Sequence, residues 1–170
     1  MNGNRIIVHG LIKYKDGYLL TKRSKEENVY KEYWDIPGGL QEYGELPKEA
    51  LKREVKEEVG LDVTPTIIIH EASNYDKKKD MVFIRLVYIC EVNSDINDIV
   101  LDEKQHTEYR IVKSLDELKN EKIVPFIYDI IKVENEEFVF DESEYGLPLL
   151  NIYSDLGYPH LHEWRQYGNN

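Results

Sequence analysis

The strongest constraint on the fold of this chain is a helix whose two ends are both encoded, placed after a pair of strand-like segments. Pro47 suits the first helical position and Gly60 suits the residue just past the last turn, with good helix formers between them. Before this helix, Arg5 to Tyr14 and Tyr18 to Lys22 predict a β-hairpin, with Asp16-Gly17 supplying the positive φ of its turn. The first part of the chain therefore predicts strand, strand and helix in that order.

The segments after the helix predict further strands and a second helix. Thr66 to Ala72 and Met81 to Val92 read as another pair of strands, and Arg110 to Val112 as a third piece. Ser114 is expected to cap a short helix, and a longer helix is expected from Pro125 to about Val133. The predicted fold class is therefore α/β.

The 170 residues suit one ordinary domain, which we place at residues 1–133. Residues 134–170 lose the periodicity of helices and strands but contain many aromatic and aliphatic side chains. We expect this C-terminal extension to pack on the domain or on a partner chain, and a homodimer is the candidate assembly.

Charge and hydropathy exclude several classes of partner. A formal net charge of −11 disfavours duplex nucleic acid, although a small phosphate substrate can be bound where carboxylates first collect cations. No apolar run reaches the roughly 20 residues that span a bilayer, and the first residues do not resemble a secretory signal, so a cytoplasmic protein without membrane contact is expected. Cys90, within an apolar segment, is expected to be a buried thiol.

The helix from Pro47 carries the residues with the clearest chemistry. Glu54, Glu57 and Glu58 are spaced at i, i+3 and i+4, which places three carboxylates on one helical face. Such a cluster is repulsive, and oxygen ligands without His or Cys favour Mg²⁺, with Mn²⁺ as an alternative. The competing interpretation is a solvated helix rich in ordinary ion pairs. The neighbouring apolar stripe, which is expected to dock on a sheet, consists of Leu51, Val55 and Val59.

The spacing of these glutamates within a longer pattern resembles the Nudix family. The family pattern is a Gly, five residues, a Glu, seven residues, and then Arg-Glu-aliphatic-any-Glu-Glu-any-Gly-aliphatic. The matching residues are Gly39, Glu45, Arg53, Glu54, Val55, Glu57, Glu58, Gly60 and Leu61. The resemblance implies an α/β/α sandwich with a mixed β-sheet between helices. It also implies Mg²⁺-dependent hydrolysis of a phosphoric anhydride bond in a nucleotide, either a nucleoside diphosphate linked to another moiety or a noncanonical nucleoside triphosphate.

The resemblance also implies roles for individual residues. Glu54, Glu57 and Glu58 correspond to the family's metal ligands, together with the backbone carbonyl of Gly38. Glu57 and Glu58 are in addition candidates for the general base that takes a proton from the attacking water. In some members a later loop supplies that base, and the corresponding candidates here are Glu103, His106 and Glu108.

Two further residues of the box, Arg53 and Glu45, match a salt bridge that supports the catalytic helix. Arg23 occupies a position where some relatives contact the substrate phosphate, although a plain surface charge is an equal alternative. Trp34, before a tight turn at Pro37-Gly38-Gly39, is a candidate for stacking on a base, with a packing role as the alternative. A nucleotide-sensing module that does not hydrolyse its ligand remains the alternative function.

Overall fold

The computed structural model of the chain describes residues 3–135, with side chains to residue 131. The predicted C-terminal extension, residues 134–170, therefore lies almost entirely outside the described residues. Among the described residues, no helix is long and apolar enough to cross a membrane. The elements are β1 (Asn4–Tyr14), β2 (Gly17–Arg23), β3 (Trp34–Asp35), β4 (Gly38–Leu40), α1 (Pro47–Val59), β5 (Val63–Asp76), β6 (Met81–Val92), β7 (His106–Val112) and α2 (Phe126–Asn135).

The strands form a mixed sheet in the order β3-β2-β1-β6-β5, with β4 paired to β1 and β7 paired to β2. Strand β1 runs parallel to β6 and antiparallel to β2 and β4. Strand β1 therefore lies at the centre of the sheet and carries the short strand β4 beside it. This pairing places Gly38 and Gly39 of β4 directly beside the central strand β1.

The two faces of the sheet are covered by different helices. Val8 and Ile12 of β1 pack in one buried cluster with Leu51 of α1, whereas Leu11 packs in a second cluster with Ile127 of α2. Alternate residues of a strand point to opposite faces, so α1 and α2 lie on opposite sides of the sheet. The expected α/β/α sandwich with a mixed sheet is therefore confirmed.

Helix α1 has the predicted bounds, and both ends have local causes. Pro47 begins the helix, and the amide of Leu46 donates to the carboxylate of Glu49 at 2.9 Å. Gly60 has a φ of 75° and its amide donates to the carbonyl of Lys56 at 3.1 Å, which closes the last turn. The predicted apolar stripe Leu51, Val55 and Val59 is fully buried.

Four predictions of secondary structure need correction or extension. The positive φ of the first hairpin turn lies at Lys15 (54°), not at Asp16-Gly17. Gly17 is needed for space instead, because a Cβ there would lie 2.8 Å from the side chain of Ile111 on β7. Strands β5 and β7 both begin earlier than predicted, β5 also ends later, and α2 begins one residue later, at Phe126.

Two local predictions are confirmed by side-chain environment. Ser114 caps a short 3₁₀ helix, Leu115–Leu118, and accepts a hydrogen bond from the amide of Asp116. Cys90 is a free, buried thiol, and burial raises its pKa to about 12. The thiol therefore remains protonated and contributes to packing.

Candidate active site

Gly38 and Gly39 allow helix α1 and strand β4 to approach closely. Gly38 has a φ of 152°, a Cβ there would collide with the backbone of Val8, and its amide donates to Oε2 of Glu58 at 2.8 Å. A Cβ on Gly39 would lie 2.5–2.6 Å from the carboxyl atoms of Glu54. Residues without a Cβ therefore create the space in which two glutamates of α1 lie against the strand.

Arg53 connects the loop before α1 to the glutamates of the helix. Its Nε and Nη2 donate to the two oxygens of Glu45 at 2.7 and 3.0 Å, which is the pairing expected from the sequence. Its Nη1 donates to Glu54 at 2.9 Å and to Glu57 at 3.2 Å, and Nη2 also reaches the carbonyl of Leu40 at 3.1 Å. The hydrogen bonds that Glu45 accepts from Arg53 and from the amide of Glu42 lower its pKa to about 2. One guanidinium thus links the loop, the strand and the acidic helical face.

The three candidate bases outside the box lie in different environments. His106 is buried, and its Nε2 lies 3.4 Å from Oε2 of Glu58 without the geometry of a hydrogen bond. Glu103 is exposed on a turn, and Glu108 binds Arg110 at 2.7 Å. Of these three residues, only His106 contacts a glutamate of the box.

A cleft of about 580 Å³ opens beside the two glycines and is lined by Glu54 and Glu58. Arg23 also lines this cleft, but its N–H groups are engaged by protein acceptors. They contact Glu27 at 2.6 Å, Asp35 at 3.2 Å and the carbonyl of Val29 at 3.1 Å. A substrate phosphate that contacts Arg23 would have to replace one of these partners.

Asp35 is the buried member of this network. Burial raises the pKa of its carboxyl group, and the nearby charge of Glu58 acts in the same direction, while Arg23 opposes both. Asp35 was not among the candidate site residues predicted from the sequence. Its position directly after Trp34 and before the glycine turn offered no charge pattern that would have distinguished it from a turn residue.

Arg85 and His9 were also missed, although the sequence contains a signal for them. Each is a polar residue inside an apolar strand, and Arg85 is the only charged residue between positions 81 and 90. The guanidinium carbon of Arg85 lies 4.2 Å from the ring centroid of Phe126, and the ring of His9 lies 5.1 Å from the same ring. Burial, with the positive charge of Arg85, lowers the pKa of His9 to about 3, so its ring is neutral at physiological pH.

Of the two candidate roles of Trp34, stacking on a base and packing in the core, its environment favours packing. Its side chain is 0% exposed, its indole N–H donates to Glu121 at 2.6 Å, and Arg110 lies over its ring at 4.7 Å. The ring face is therefore not available to a base, and the packing alternative describes its role. A large aromatic side chain before a tight turn anchors that turn in the core.

Comparisons with known proteins agree with this geometry. A family model described as NUDIX domain matches residues 3–133. The chain belongs to the Nudix family. It is 35% identical over 95 residues to Nucleoside triphosphatase NudI from Escherichia coli (strain K12), an alignment that covers 51% of this chain and 67% of the relative.

Solved structures of Nudix proteins share the fold. The MutT protein from Methanosarcina mazei Go1 is 27% identical, with a TM-score of 0.64, and the match covers 79% of this chain and 96% of that one. A NUDIX hydrolase from Nitrosomonas europaea matches with a TM-score of 0.64 at 22% identity, covering 78% of this chain and 88% of the other. The chain is accordingly a Nudix hydrolase.

The glutamates of the Nudix box fit a hard divalent cation in the type of donor atom that they supply. Burial raises the pKa of Glu54, and the charges of Glu58 and Glu57 add to that effect, so a second positive charge would stabilise the cluster. Glu54 and Glu57 already share the Nη1 of Arg53. Within residues 3–135 no three acidic, His or Cys side chains are already grouped closely enough to hold an ion. Binding would therefore require Glu54 and Glu57 to turn from Arg53 towards Glu58.

Proposed function

We propose that this Nudix hydrolase cleaves the phosphoric anhydride bond of a small nucleotide, with Mg²⁺ as the preferred cation and Mn²⁺ as a substitute. The substrate is a nucleoside triphosphate, including noncanonical ones, or a nucleoside diphosphate linked to another moiety. The observation that carries this proposal is the position of Glu54 and Glu58 in a cleft large enough for a small ligand. The name of the relative, Nucleoside triphosphatase NudI, supports the triphosphate alternative.

We assign the cation to Glu54, Glu57 and Glu58, with the backbone carbonyl of Gly38 as a further donor. A divalent cation bound there would neutralise negative charge on the phosphates and make a bound water more acidic. The space left by the absent Cβ of Gly39 supports this assignment, because it lets the carboxylate of Glu54 lie at the cleft surface. We assign Arg53 and Glu45 a positioning role, because the guanidinium binds both carboxylate oxygens of Glu45 and so connects the loop to the helix.

We propose that the proton acceptor is a glutamate of the box, either Glu57 or Glu58. The side chain of Glu57 is 55% exposed and open to water, whereas Glu58 lines the cleft from a buried position. Glu103 and Glu108 are not among the residues that line the cleft, which disfavours both as bases. Water attacks one phosphorus, the bridging P–O bond breaks, and the proton of the water passes to the carboxylate.

The decisive experiment is a substrate screen with purified protein and Mg²⁺ or Mn²⁺ in turn. The panel contains canonical and oxidised nucleoside triphosphates, nucleotide sugars, ADP-ribose and dinucleoside polyphosphates. We expect phosphate or pyrophosphate release from at least one class, and loss of release when EDTA is added. Hydrolysis without any divalent cation would contradict the cation assignment.

The screen also separates hydrolysis from sensing. The glutamates of the Nudix box are all present in this chain. A sensing module does not require them, so their presence favours hydrolysis. If no substrate is cleaved while nucleotides still bind with micromolar or better affinity, the sensing alternative is correct. A matched protein with Glu54→Gln and Glu58→Gln measures the background from contaminating hydrolases.

A further inference from the structure

A second cavity of about 280 Å³ adjoins the cleft and shares Tyr30, Arg85, Val124 and Phe126 with it. We refer to this cavity as the side pocket, and its other polar lining residues are His70 and Asp129. Its volume is smaller than that of a typical site for a whole small molecule, so it suits one part of a ligand. The glutamates of the box do not line the side pocket.

Unpaired polar atoms point to a ligand at this place. Within residues 3–131, Nε of Arg85, Nε2 of His70 and Nδ1 of His9 are buried and have no hydrogen-bond partner. All three side chains surround the ring of Phe126, at 4.2 Å for Arg85, 5.1 Å for His9 and 6.4 Å for His70. Buried polar groups are normally paired, so three unpaired ones around a single ring indicate a missing partner.

Arg110 provides a comparison within the same chain. Its guanidinium also lies over an aromatic ring, at 4.7 Å from Trp34, but its N–H groups are bound by Glu108 and Glu121 at 2.7 Å. Arg85 has the same stacked arrangement, but its Nε has no hydrogen-bond partner in the described part of the chain, and Asp35 acts on it only through the attraction of its charge. Its face is occupied by Phe126, so the planar edge of its fork is the part left to donate to a ligand.

The sheet separates Arg85 from the strand of the glycine turn. Leu40 of β4 pairs with Ile7 of β1, and Ile7 pairs with Arg85 of β6, so two strand spacings separate Arg85 from the strand of the glycine turn. Two spacings correspond to about 10 Å. That span fits a nucleoside attached to the phosphates held by the box, and it exceeds the separation of neighbouring phosphates.

We propose that the side pocket binds the nucleobase of the substrate, and that Arg85 determines specificity by donating to a ring carbonyl of that base. This inference rests on the proposed nucleotide substrate. Asp129 supplies an acceptor in the same pocket, which complements the ring N–H beside the carbonyl in guanine and uracil. Adenine has neither of these groups. The aromatic lining suits a planar base better than a second phosphate.

The test is equilibrium binding of GMP, UMP, AMP and ribose 5-phosphate to the protein by calorimetry with Mg²⁺ present. Monophosphates contain no anhydride bond, so binding is measured whether or not the chain hydrolyses nucleotides. We expect GMP or UMP to bind about tenfold or more tightly than AMP, which is the discrimination given by one good pair of donors. Equal binding of all three nucleotides, or no binding of any of them, would overturn the proposal.

Variants of Arg85 identify the part of the ligand that it contacts. Arg85→Met should remove the preference over AMP and leave the affinity for ribose 5-phosphate unchanged, and Arg110→Met should retain the preference. Arg85→Lys keeps the charge without the fork, so it should also lose the preference. If Arg85→Lys behaves as wild type, or if Arg85→Met weakens ribose 5-phosphate equally, Arg85 contacts a phosphate and the proposal is wrong. If Arg85→Met fails to fold, Arg85→Lys and the wild-type panel decide.

Discussion

Adding one methyl group at Gly39 is the most direct perturbation of the proposed cation site. In Gly39→Ala the new Cβ would start 2.5 Å from the carboxyl carbon of Glu54, whereas ordinary contacts begin at 3.4 Å. The carboxylate must therefore withdraw by about 1 Å. A displacement of that size in a catalytic group costs on the order of 100-fold in rate, or about 2.7 kcal/mol in activation free energy. Gly39 is not among the glycines with positive φ, so alanine itself is not strained there.

The assay is steady-state hydrolysis of the best substrate from the screen, with thermal unfolding of each variant measured in parallel. We expect Gly39→Ala to keep its Tm within a few degrees and to lose kcat. Gly44→Ala is the matched control, because Gly44 has a φ of 88° and open space around it, so the methyl group costs stability and meets no carboxylate. With Glu54→Gln already present, Gly39→Ala should add little further loss. Full activity of Gly39→Ala, or additive losses in the double variant, would refute the reasoning.

Three further outcomes are expected. Glu57→Gln should lower kcat by at least about 100-fold. Its Tm should change little, because the side chain of Glu57 is half exposed. An unchanged rate in a phosphate-release assay would remove Glu57 from the mechanism. Wild type should be more stable than Glu45→Gln at pH above 4.5, because the pKa of Glu45 is depressed to about 2. In urea titrations the difference in unfolding free energy should shrink as the pH falls from 4.5 towards 2, and a constant difference argues against the ion pair with Arg53. Wild type should lose up to about 4 kcal/mol of unfolding free energy as the pH falls from 6.5 to 3, because His9 accepts a proton more readily in the unfolded chain. The unfolding free energy of His9→Gln should depend less on pH, and identical pH profiles would show that His9 is not buried as a neutral ring.

The elements that could be predicted from the sequence are those whose bounds have local causes. Helix α1 begins at Pro47 and ends before Gly60, and both residues act through their own backbone geometry. Strand β6 also has its predicted bounds, Met81–Val92. Strand β5 runs well beyond its predicted end because its polar residues to Asp76 pair with β6, and that partner is not visible in the hydrophobic pattern.

The residues of the candidate site also differ in how far they could be predicted from the sequence. The resemblance to the Nudix family implied that Arg53 pairs with Glu45, and the two side chains are in contact at 2.7 Å. Arg85 and Phe126 are far apart in sequence and meet only through packing of α2 on the sheet. Trp34 was left with two candidate roles, stacking on a base or packing, because its aromatic character was visible in the sequence but its burial depends on tertiary partners such as Glu121.

The hydrogen bonds of Arg53 suggest a way for the Nudix box to keep its structure if a cation binds. Its Nε and Nη2 hold Glu45, and Nη2 also holds the carbonyl of Leu40, whereas Nη1 alone holds Glu54 and Glu57. Release of the two glutamates from Nη1 would therefore leave the connection between loop and helix in place. A lysine could not divide its contacts in this way, because it has one nitrogen and no planar fork. The guanidinium thus balances the clustered carboxylates, and it would retain its supporting contacts if a divalent cation took over that charge.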